Sequence, residues 1–342
     1  MTKLWMRHEQ RPAEHRAPLV PADVAELVSS GIEVTVEHSP RRTFPIEEYL
    51  AAGATAAPAG SWCEAAADWY VLGLKELPDS GEPLTHRHIM FGHAFHVQRG
   101  ADALLGRFVA GGGALLDLES LVDADGRRLV AFGYWAGYAG AALAVLHHHG
   151  ALPTPLRPTT RTELDAALRA LPVGGECRAL VIGALGRCGR GARDAVAVAG
   201  IAATAWDIDE TRVLDRPVLL AHELLINAVR TDRPLPPFLT PADLCAPDRR
   251  LSVIADVTCD VTSDRHLLPV YDRVCDWAAP VRRLAGGPPP VDLIAIDNLP
   301  SLLPAEASTA FSAGLAPLLM RLDDADSPWG GALRTFQEVA HA

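Results

Sequence analysis

Apolar residues recur along this chain in two spacings, and these alternate over most of its length. Residues 21–28 (PADVAELV) have apolar side chains at helical spacing with a proline allowed in the first turn, whereas residues 32–37 (IEVTVE) alternate as a strand does. Apolar runs over 69–74, 89–93 and 114–118 predict further strands, each followed by a loop with charged or imidazole side chains. The first part of the chain is therefore predicted to be α/β.

A long apolar helix and a proline-rich stretch precede a second α/β part. Residues 137–149 predict an alanine-rich buried helix, and Pro153, Pro155 and Pro158 follow it. A strand over 178–183, a helix over 191–199 and a strand over 203–207 come next. Later strands are predicted over 218–220, 224–229, 251–257 and 293–296. This order is typical of a doubly wound parallel sheet.

Composition narrows the class of protein. The 342 residues are 49% apolar, which is enough for two domains at about 150 residues each. The net charge is −11 with scattered basic residues, so we expect no nucleic-acid and no membrane partner. The start of the chain has no apolar stretch of the signal-peptide kind, and the longest apolar run covers only residues 136–146. The six cysteines form no C-x-x-C pair, which favours reduced thiols and a cytoplasmic location.

A glycine-rich segment between a predicted strand and helix is the clearest local signal. Gly183, Gly186 and Gly189 have the spacing G-x-x-G-x-x-G, and such a loop lets a pyrophosphate approach the backbone at a helix start. A tight turn without a ligand is the alternative. Asp207 ends the next strand, where a carboxylate can bind ribose hydroxyls and disfavours a 2′-phosphate, so NAD is favoured over NADP. We interpret Cys188 as a small loop residue rather than a nucleophile.

Two residues in the first part could exchange protons. Lys75 follows an apolar strand and His93 lies in the segment FGHAFH, although Lys75 could instead pair with Glu76 and His93 could be a core histidine. Arg11, Arg16 and the pair 127–128 are candidate carboxylate clamps, with solvated surface charge as the alternative. The run His147, His148, His149 is expected to be a solvated helix end, since adjacent helix positions point in different directions. We therefore predict no metal site.

Taken together, these residues resemble the NAD-dependent, lysine-forming saccharopine dehydrogenases. The resemblance extends from about residue 4 to residue 308. The matching segments are 58–62 (PAGSW), 73–76 (GLKE), 125–128 (DGRR), 131–133 (AFG), 136–143 (AGYAGAAL), 182–189 (IGALGRCG), 206–208 (WDI) and 296–308 (IDNLPSLLPAEAS). The related alanine dehydrogenases and transhydrogenases share Arg16, Leu19, Pro21 and the GLKE segment with a following histidine, but lack the segment DNLPSLLP.

The resemblance implies an α/β fold of two Rossmann-like domains with parallel sheets and an active-site cleft between them. It places a substrate or catalytic domain at residues 1–135, to which residues 300–342 return, and an NAD-binding Rossmann domain at residues 136–299. The implied reaction joins the side-chain amine of lysine to 2-oxoglutarate through an imine, which NADH reduces to saccharopine, reversibly. We expect amino acids and 2-oxo acids as small-molecule partners, and a monomer or small homo-oligomer.

The resemblance also assigns roles to individual residues. Lys75 and His93 correspond to the acid–base pair. Substrate would be bound by Arg11, Arg16, His96, Glu119, Arg128 and Phe132. The cofactor would be bound by Gly183, Gly186, Arg187, Gly189, Asp207, Thr211, Val257, Asp297, Asn298 and Leu299.

Some positions depart from the family pattern. His96 stands where the family usually has a lysine, Asn298 replaces a histidine, and Ala228 and Arg230 replace a cysteine and a tyrosine. These changes leave open which amine and oxo acid are used. An alanine-dehydrogenase-like enzyme that uses ammonia and a catalytically silent dinucleotide-binding protein are the alternative functions.

Overall fold

The computed structural model describes residues 1–94, 100–172, 177–231, 233–259, 261 and 265–340. The chain forms two compact units, which we call unit 1 (Met1–Ala131 with Ala307–Ala342) and unit 2 (Phe132–Glu306). In this division the chain returns to unit 1 at Ala307, later than the residue 300 expected from the sequence. The roles assigned to the two parts are taken up as a proposal below.

The elements alternate as the hydrophobic pattern predicts. The strands are β1 (Lys3–Met6), β2 (Glu33–Glu37), β3 (Thr55–Ala57), β4 (Tyr70–Leu72), β5 (Arg87–Met90), β6 (Ala114–Asp117), β7 (Ala179–Ile182), β8 (Ala203–Trp206), β9 (Leu224–Asn227), β10 (Val253–Asp256), β11 (Arg282–Ala285) and β12 (Val291–Ile294). The α-helices are α1 (Pro21–Ser29), α2 (Ile46–Ala51), α3 (Ala101–Gly111), α4 (Gly133–His148), α5 (Arg161–Arg169), α6 (Arg187–Val198), α7 (Ile208–Thr211), α8 (Arg216–Leu220), α9 (Pro304–Leu319) and α10 (Pro328–Ala340). Single 3₁₀ turns cover Ser61–Glu64, Leu118–Ser120, Asp243–Cys245 and Leu299–Leu302.

Each unit contains a six-stranded sheet. The order in unit 1 is β3-β2-β1-β4-β5-β6, and every pairing is parallel. The order in unit 2 is β11-β12-β10-β9-β7-β8, in which only the edge strand β11 is antiparallel to its neighbour among the described residues. In unit 2 the strand order reverses at β7, between β8 and β9. The α/β prediction with parallel sheets is confirmed, and β11 adds an antiparallel edge that the sequence pattern did not indicate.

Strands β7, β9, β10 and β12 of unit 2 are buried along their whole length because both faces of this sheet are covered. In unit 2, α4 packs on one face of the sheet with α5 and α6, and its residues 137–146 are buried on all sides. The opposite face is covered by apolar side chains that include Leu219, Phe238 and Leu268. The predicted buried helix is thereby confirmed, although it begins at Gly133.

Glycines let α4 and α6 approach very closely. A Cβ atom on Gly137 would overlap the Cys188 carbonyl, and one on Gly191 would overlap the Tyr134 carbonyl. Gly133 faces Cys188 as well, with its hypothetical Cβ 3.0 Å from the sulfur. Two helix backbones can meet at this distance only where side chains are absent, so these glycines fix the position of α6 against α4.

The strand predicted over residues 218–220 is wrong, because this segment lies in helix α8. Asp215 caps the helix, and its carboxylate accepts from the Val218 backbone N–H at 3.1 Å. Pro217 occupies the first turn, where a missing N–H costs nothing. A three-residue apolar run has no periodicity, so the cap and the proline were the only available signals.

The end of α4 also differs from the expectation. All three histidines are half-buried rather than solvated, and His147 Nε2 lies 2.9 Å from an Asp292 carboxylate oxygen. Ligating atoms of His148, His149 and Cys177 lie within 4.8 Å of one another. The expectation that adjacent histidines cannot converge is therefore wrong for His148 and His149.

The described helices were also compared with the length of a membrane span. None of them is long and apolar enough to cross a membrane.

A buried histidine makes the stability of unit 1 sensitive to acid. His88 on β5 is fully buried against Trp62 and Phe108, and neither ring nitrogen has a hydrogen-bond partner among the described residues. Burial first, and then the positive charge of Arg7, lowers the pKa of His88 well below its usual value. The folded state thus keeps this imidazole neutral, whereas the unfolded state protonates it below about pH 6.5.

We predict that His88→Phe removes part of the acid sensitivity. The wild type should lose up to about 1.4 kcal/mol of unfolding free energy per pH unit through this group as the pH falls below about 6.5. Between pH 7.5 and pH 5 the variant should lose less unfolding free energy than the wild type, as measured by urea unfolding at each pH. The matched control is His38→Gln at an exposed position, which should keep the wild-type pH dependence. Parallel curves for wild type and His88→Phe would contradict the argument.

Candidate active site and nucleotide site

The predicted catalytic residues lie at one edge of the unit 1 sheet. Lys75 follows β4 and His93 follows β5, and these two strands are hydrogen-bonded neighbours. The Phe91 backbone N–H donates to the Leu74 carbonyl at 3.3 Å, so the pairing continues into the two loops. Carboxyl ends of parallel strands meet at one edge, and the structure therefore brings the two loops side by side.

His93 belongs to a hydrogen-bonded triplet with two other predicted residues. Its Nδ1 lies 3.1 Å from one Glu119 carboxylate oxygen, and Arg128 donates to the other oxygen at 2.5 Å. Glu119 is buried in the 3₁₀ turn after β6, where the Asp117 carboxylate accepts from its backbone N–H at 2.9 Å. His93 has a φ of 51°, in the left-handed region that non-glycine residues adopt infrequently. The loop is thus held in a particular geometry that points His93 at Glu119.

The loop carrying Lys75 is held by a buried carboxylate. Glu9 accepts from the backbone N–H groups of Leu74 at 2.6 Å and Lys75 at 3.0 Å. Arg7 donates to the Lys75 carbonyl and lies 3.6 Å from Glu9. A Cβ on Gly73 would overlap the Arg7 guanidinium, which explains the glycine before Leu74 and Lys75. The Lys75 side chain itself is half-buried.

Arg16 forms a buried pair with Glu14. Its Nε and Nη2 donate to the two Glu14 carboxylate oxygens at 2.8 and 2.6 Å. Burial alone would raise the pKa of Glu14, but the Arg16 charge and hydrogen bonds, with a contribution from Lys75, lower it to about 2. Glu14 therefore stays ionised beside Arg16 at neutral pH.

The other predicted carboxylate clamps are also engaged within the chain. Arg11 binds Glu76 through Nε at 2.8 Å and Nη2 at 2.5 Å, at an exposed position. Arg128 binds Glu119, as described above. Arg127, which the sequence grouped with Arg128, contacts Asp125 at 3.2 Å on the surface. His96 lies outside the described residues, and Phe132 is the residue before α4, in unit 2.

The glycine loop of unit 2 leads from β7 into α6. Gly183 has a φ of 80°, and a Cβ there would come within 2.9 Å of Val229. Gly186 is the N-terminal cap residue of α6, and Arg187 begins the helix. A Cβ on Gly189 would overlap the Gly183 carbonyl. The backbone thus forms a cradle without side chains at a helix N-terminus, where the sheet order reverses, and this fits a pyrophosphate.

Asp207 is bound to this glycine loop. One carboxylate oxygen accepts from the Leu185 backbone N–H at 2.9 Å, and the other accepts from Ile208 at 3.0 Å. A carboxylate has about four acceptor positions, so these bonds leave capacity for ribose hydroxyls. Thr211 donates to the Asp207 carbonyl at 2.8 Å and supports the same turn. The predicted glycine loop and the predicted ribose-binding carboxylate of Asp207 are therefore in direct contact.

The remaining predicted cofactor residues follow two other strands of unit 2. Val257 follows β10, and Leu299 begins the 3₁₀ turn after β12. Both approach Gly140 of α4, since a Cβ there would lie 3.0 Å from Val257 and 3.2 Å from Leu299. Asp297 is exposed, while Asn298 is buried with a φ of 74°. Neighbouring strand ends thus place these residues at the carboxyl edge of the sheet.

Sequence reasoning missed a buried carboxylate beside Val257. Asp256 accepts from Asn227 Nδ2 at 3.0 Å, Thr258 Oγ1 at 2.7 Å and the Tyr271 hydroxyl at 2.8 Å. Burial would raise the pKa of Asp256, but the nearby His266, whose Nε2 lies 3.8 Å away, and hydrogen bonds from Thr258 and Tyr271 lower it. The sequence feature that could have indicated Asp256 is an acidic residue at the end of an apolar strand, the same feature that indicated Asp207. The partners Glu9 and Glu14 were missed as well, although Glu14 stands only two residues before Arg16.

Comparison with known proteins identifies the fold and the family. Residues 5–139 match the family description "Alanine dehydrogenase/PNT, N-terminal domain". A solved L-alanine dehydrogenase has a TM-score of 0.69 at 15% identity and covers 98% of this chain and 94% of its own. The saccharopine dehydrogenase (NAD(+), L-lysine-forming) of Schizosaccharomyces pombe is 38% identical over 98% of both proteins. That of Neurospora crassa is 41% identical over 98% of this chain and 96% of its own length.

The fold is therefore that of the alanine dehydrogenases. At 15% identity this similarity establishes the fold and not the function. The near-complete coverage at about 40% identity goes further. The chain belongs to the saccharopine dehydrogenase (NAD(+), L-lysine-forming) family. The resemblance stated from the motifs is confirmed.

We predict that the glycines of the loop differ in their tolerance of a side chain. Gly189→Ala should lower the free energy of unfolding by about 2–3 kcal/mol, because its Cβ overlaps backbone atoms that cannot rotate away. Gly186→Ala is the matched control, since its Cβ meets only the Gly183 carbonyl at 3.4 Å. It should cost about 0.5–1 kcal/mol, as alanine at a helix cap does. Urea unfolding measures both, and equal losses would contradict the cradle geometry.

Proposed function

We propose that this protein is an NAD-dependent oxidoreductase of the saccharopine dehydrogenase type. It interconverts saccharopine, NAD and water with lysine, 2-oxoglutarate and NADH. The family membership supports this reaction class. The structural observation that carries it is the pair of adjacent loops after β4 and β5, with Lys75 on one loop and the His93–Glu119–Arg128 triplet beside it.

Imine formation and hydrolysis require proton exchange at the reacting nitrogen and oxygen. The Glu119 carboxylate lies 3.1 Å from Nδ1 of His93 and accepts from it in the tautomer protonated there, which leaves Nε2 to exchange a proton with substrate or water. Lys75 Nζ is the second exchanging group. The Glu9 carboxylate fixes its backbone, which limits the positions that the ammonium can reach. Residues 1–135 with the returning C-terminal residues, most of which form unit 1, are thus the proposed catalytic domain.

Substrate carboxylates need fixed cations at this edge of the sheet. Arg16 and Arg128 are held by Glu14 and Glu119, which orients each guanidinium before substrate arrives. Arg11 is held by Glu76 at an exposed position, where exchange of one carboxylate partner for another is easier. Glu119 attracts the substrate ammonium, and Phe132 and His96 complete the proposed substrate set.

The proposed NAD-binding domain, residues 136–299, contains the cradle that fits the cofactor. Gly183, Gly186, Arg187 and Gly189 would hold the pyrophosphate, and Asp207 with Thr211 would hold the adenosine ribose. Val257, Asp297, Asn298 and Leu299 would line the remainder. Hydride exchange at the C–N carbon is the chemistry that NAD supplies when bound.

The setting of the enzyme follows from the same proposal. The partners are amino acid and 2-oxo acid substrates, and the assembly is a monomer or small homo-oligomer. All six cysteines lie in the described residues as free thiols, which supports a reducing, cytoplasmic location.

The first test is NADH oxidation with 2-oxoglutarate, followed by absorbance. Lysine, ornithine, other amines and ammonia are compared, with pyruvate as a second oxo acid. We expect turnover with lysine and 2-oxoglutarate. Turnover with another amine would keep the mechanism and reassign the substrate, as the change at His96 allows. Turnover with ammonia and pyruvate would favour the alanine-dehydrogenase-like alternative, and NADH binding without turnover would favour a silent binder.

Substitution of the acid–base pair tests the mechanism. Lys75→Met and His93→Gln should each slow turnover by about 100-fold or more, because each removes a group that exchanges a proton. NADH affinity, measured by fluorescence titration, should stay close to wild type. If both variants turned over at the wild-type rate, the acid–base assignment would fall.

Substitution of Asp207 tests the ribose contact. Asp207→Ala should weaken NADH binding by about 10-fold to 100-fold and narrow the preference for NADH over NADPH, since charged hydrogen bonds to the ribose are lost. Asp209→Ala, at an exposed position two residues on, is the matched control and should keep the NADH affinity. Unchanged affinity in Asp207→Ala would place the ribose contact elsewhere.

A further inference from the structure

Three metal-ligating side chains converge where α4 ends and the chain enters β7. A ring nitrogen of His148, a ring nitrogen of His149 and Cys177 Sγ all lie within 4.8 Å of one another, and all three residues are half-buried. The two rings pack edge to face with centroids 5.2 Å apart. His149 is the C-terminal cap of α4, with a ψ of 5° that departs from helical geometry. This change of direction lets two adjacent histidines face the same point.

Neighbouring side chains orient the cluster. His148 Nδ1 lies 3.3 Å from the Ser252 hydroxyl, and ligating histidines are commonly oriented through the second ring nitrogen in this way. His147 contacts Asp292 and fixes the last turn of the helix. Burial, with the negative charge of Glu223, raises the pKa of Cys177 to about 11, so without a metal this thiol keeps its proton at neutral pH.

We propose that His148, His149 and Cys177 form a zinc site, with water as the fourth ligand. Imidazole nitrogen and thiolate sulfur are the donors that Zn²⁺ prefers, with bonds of about 2.0–2.3 Å. Tetrahedral bonds of that length place ligand atoms about 3.3–3.7 Å apart. Side-chain rotations that move the ligating atoms by about 1 Å would bring them to this separation. As the Zn–S bond forms, the Cys177 proton passes to solvent.

The proposed metal site lies away from the candidate nucleotide site. Cys177 precedes β7 and Ser252 precedes β10, so the site lies at the amino ends of the strands of unit 2. The glycine loop and Asp207 follow the carboxyl ends of β7 and β8. The metal therefore joins the end of α4 to the chain that enters β7, away from the candidate nucleotide site. This inference is independent of the proposed function.

Cobalt titration of the metal-free, full-length protein tests the site. We expect a single equivalent of Co²⁺ to give a thiolate-to-cobalt charge-transfer band and the visible bands of a tetrahedral site. Zn²⁺ should bleach these bands and raise the Tm. Cys177→Ser should abolish the charge-transfer band, whereas His148→Asn and His149→Asn should keep it and weaken Co²⁺ affinity by about 10-fold or more.

Two variants serve as matched controls. Cys245→Ser removes an exposed thiol of the same unit, and His38→Asn removes an exposed imidazole of unit 1. Both should keep the band and the affinity. The histidine variants retain the thiol, so they test the site even if Cys177→Ser folds poorly. Binding without a charge-transfer band, a band that survives Cys177→Ser, or wild-type affinity in both histidine variants would overturn the proposal.

Discussion

Carboxylates at the ends of parallel strands hold the loops on which the proposed chemistry depends. Glu9 binds the backbone of the Lys75 loop, Glu37 accepts from the His8, Gly60 and Trp62 backbone N–H groups, and Asp117 binds Glu119. In unit 2, Asp207 binds the glycine loop. A buried or half-buried carboxylate is costly unless hydrogen bonds satisfy it. The observed backbone arrangement of each loop satisfies its carboxylate. A different arrangement would leave both the carboxylate and the backbone N–H groups without their hydrogen-bond partners.

Unit 1 uses arginine to balance these acids, and this pairing also shapes the candidate site. Arg7 accompanies Glu9, Arg16 accompanies Glu14, and Arg128 accompanies Glu119. Removal of one partner would leave an uncompensated charge in a protein interior, which is far more costly than loss of the pair. A guanidinium has five donors and can serve a second carboxylate beside the first. Such pairs can therefore be stable parts of the fold and still recognise an anionic substrate.

Sequence patterns predicted the order of elements well because most buried strands are rich in apolar residues, and because glycines that recur at a strand end are typical of a nucleotide-binding loop. They identified Gly183, Asp207, Lys75 and His93, which the structure places at the carboxyl edges of the two sheets. The pattern failed where partners are distant along the chain or where a run is short. Nothing local indicates that Glu9 binds residue 75, and three apolar residues at 218–220 fit a helix as well as a strand. The convergence of His148 and His149 required knowledge of where α4 ends.

The close contact between α4 and α6 shows how one helix can determine the geometry of a loop far along the sequence. Gly137 receives the Cys188 carbonyl, and Gly191 receives the Tyr134 carbonyl. Because α6 begins at Arg187, these contacts fix the first turn of the helix and with it the N–H groups that follow Gly186. The apolar residues of α4 in turn pack on β9 and β10. The position of the glycine loop is thus set by backbone packing in the core of unit 2. A side chain at residue 137 would displace the start of α6, and the glycine loop would move with it.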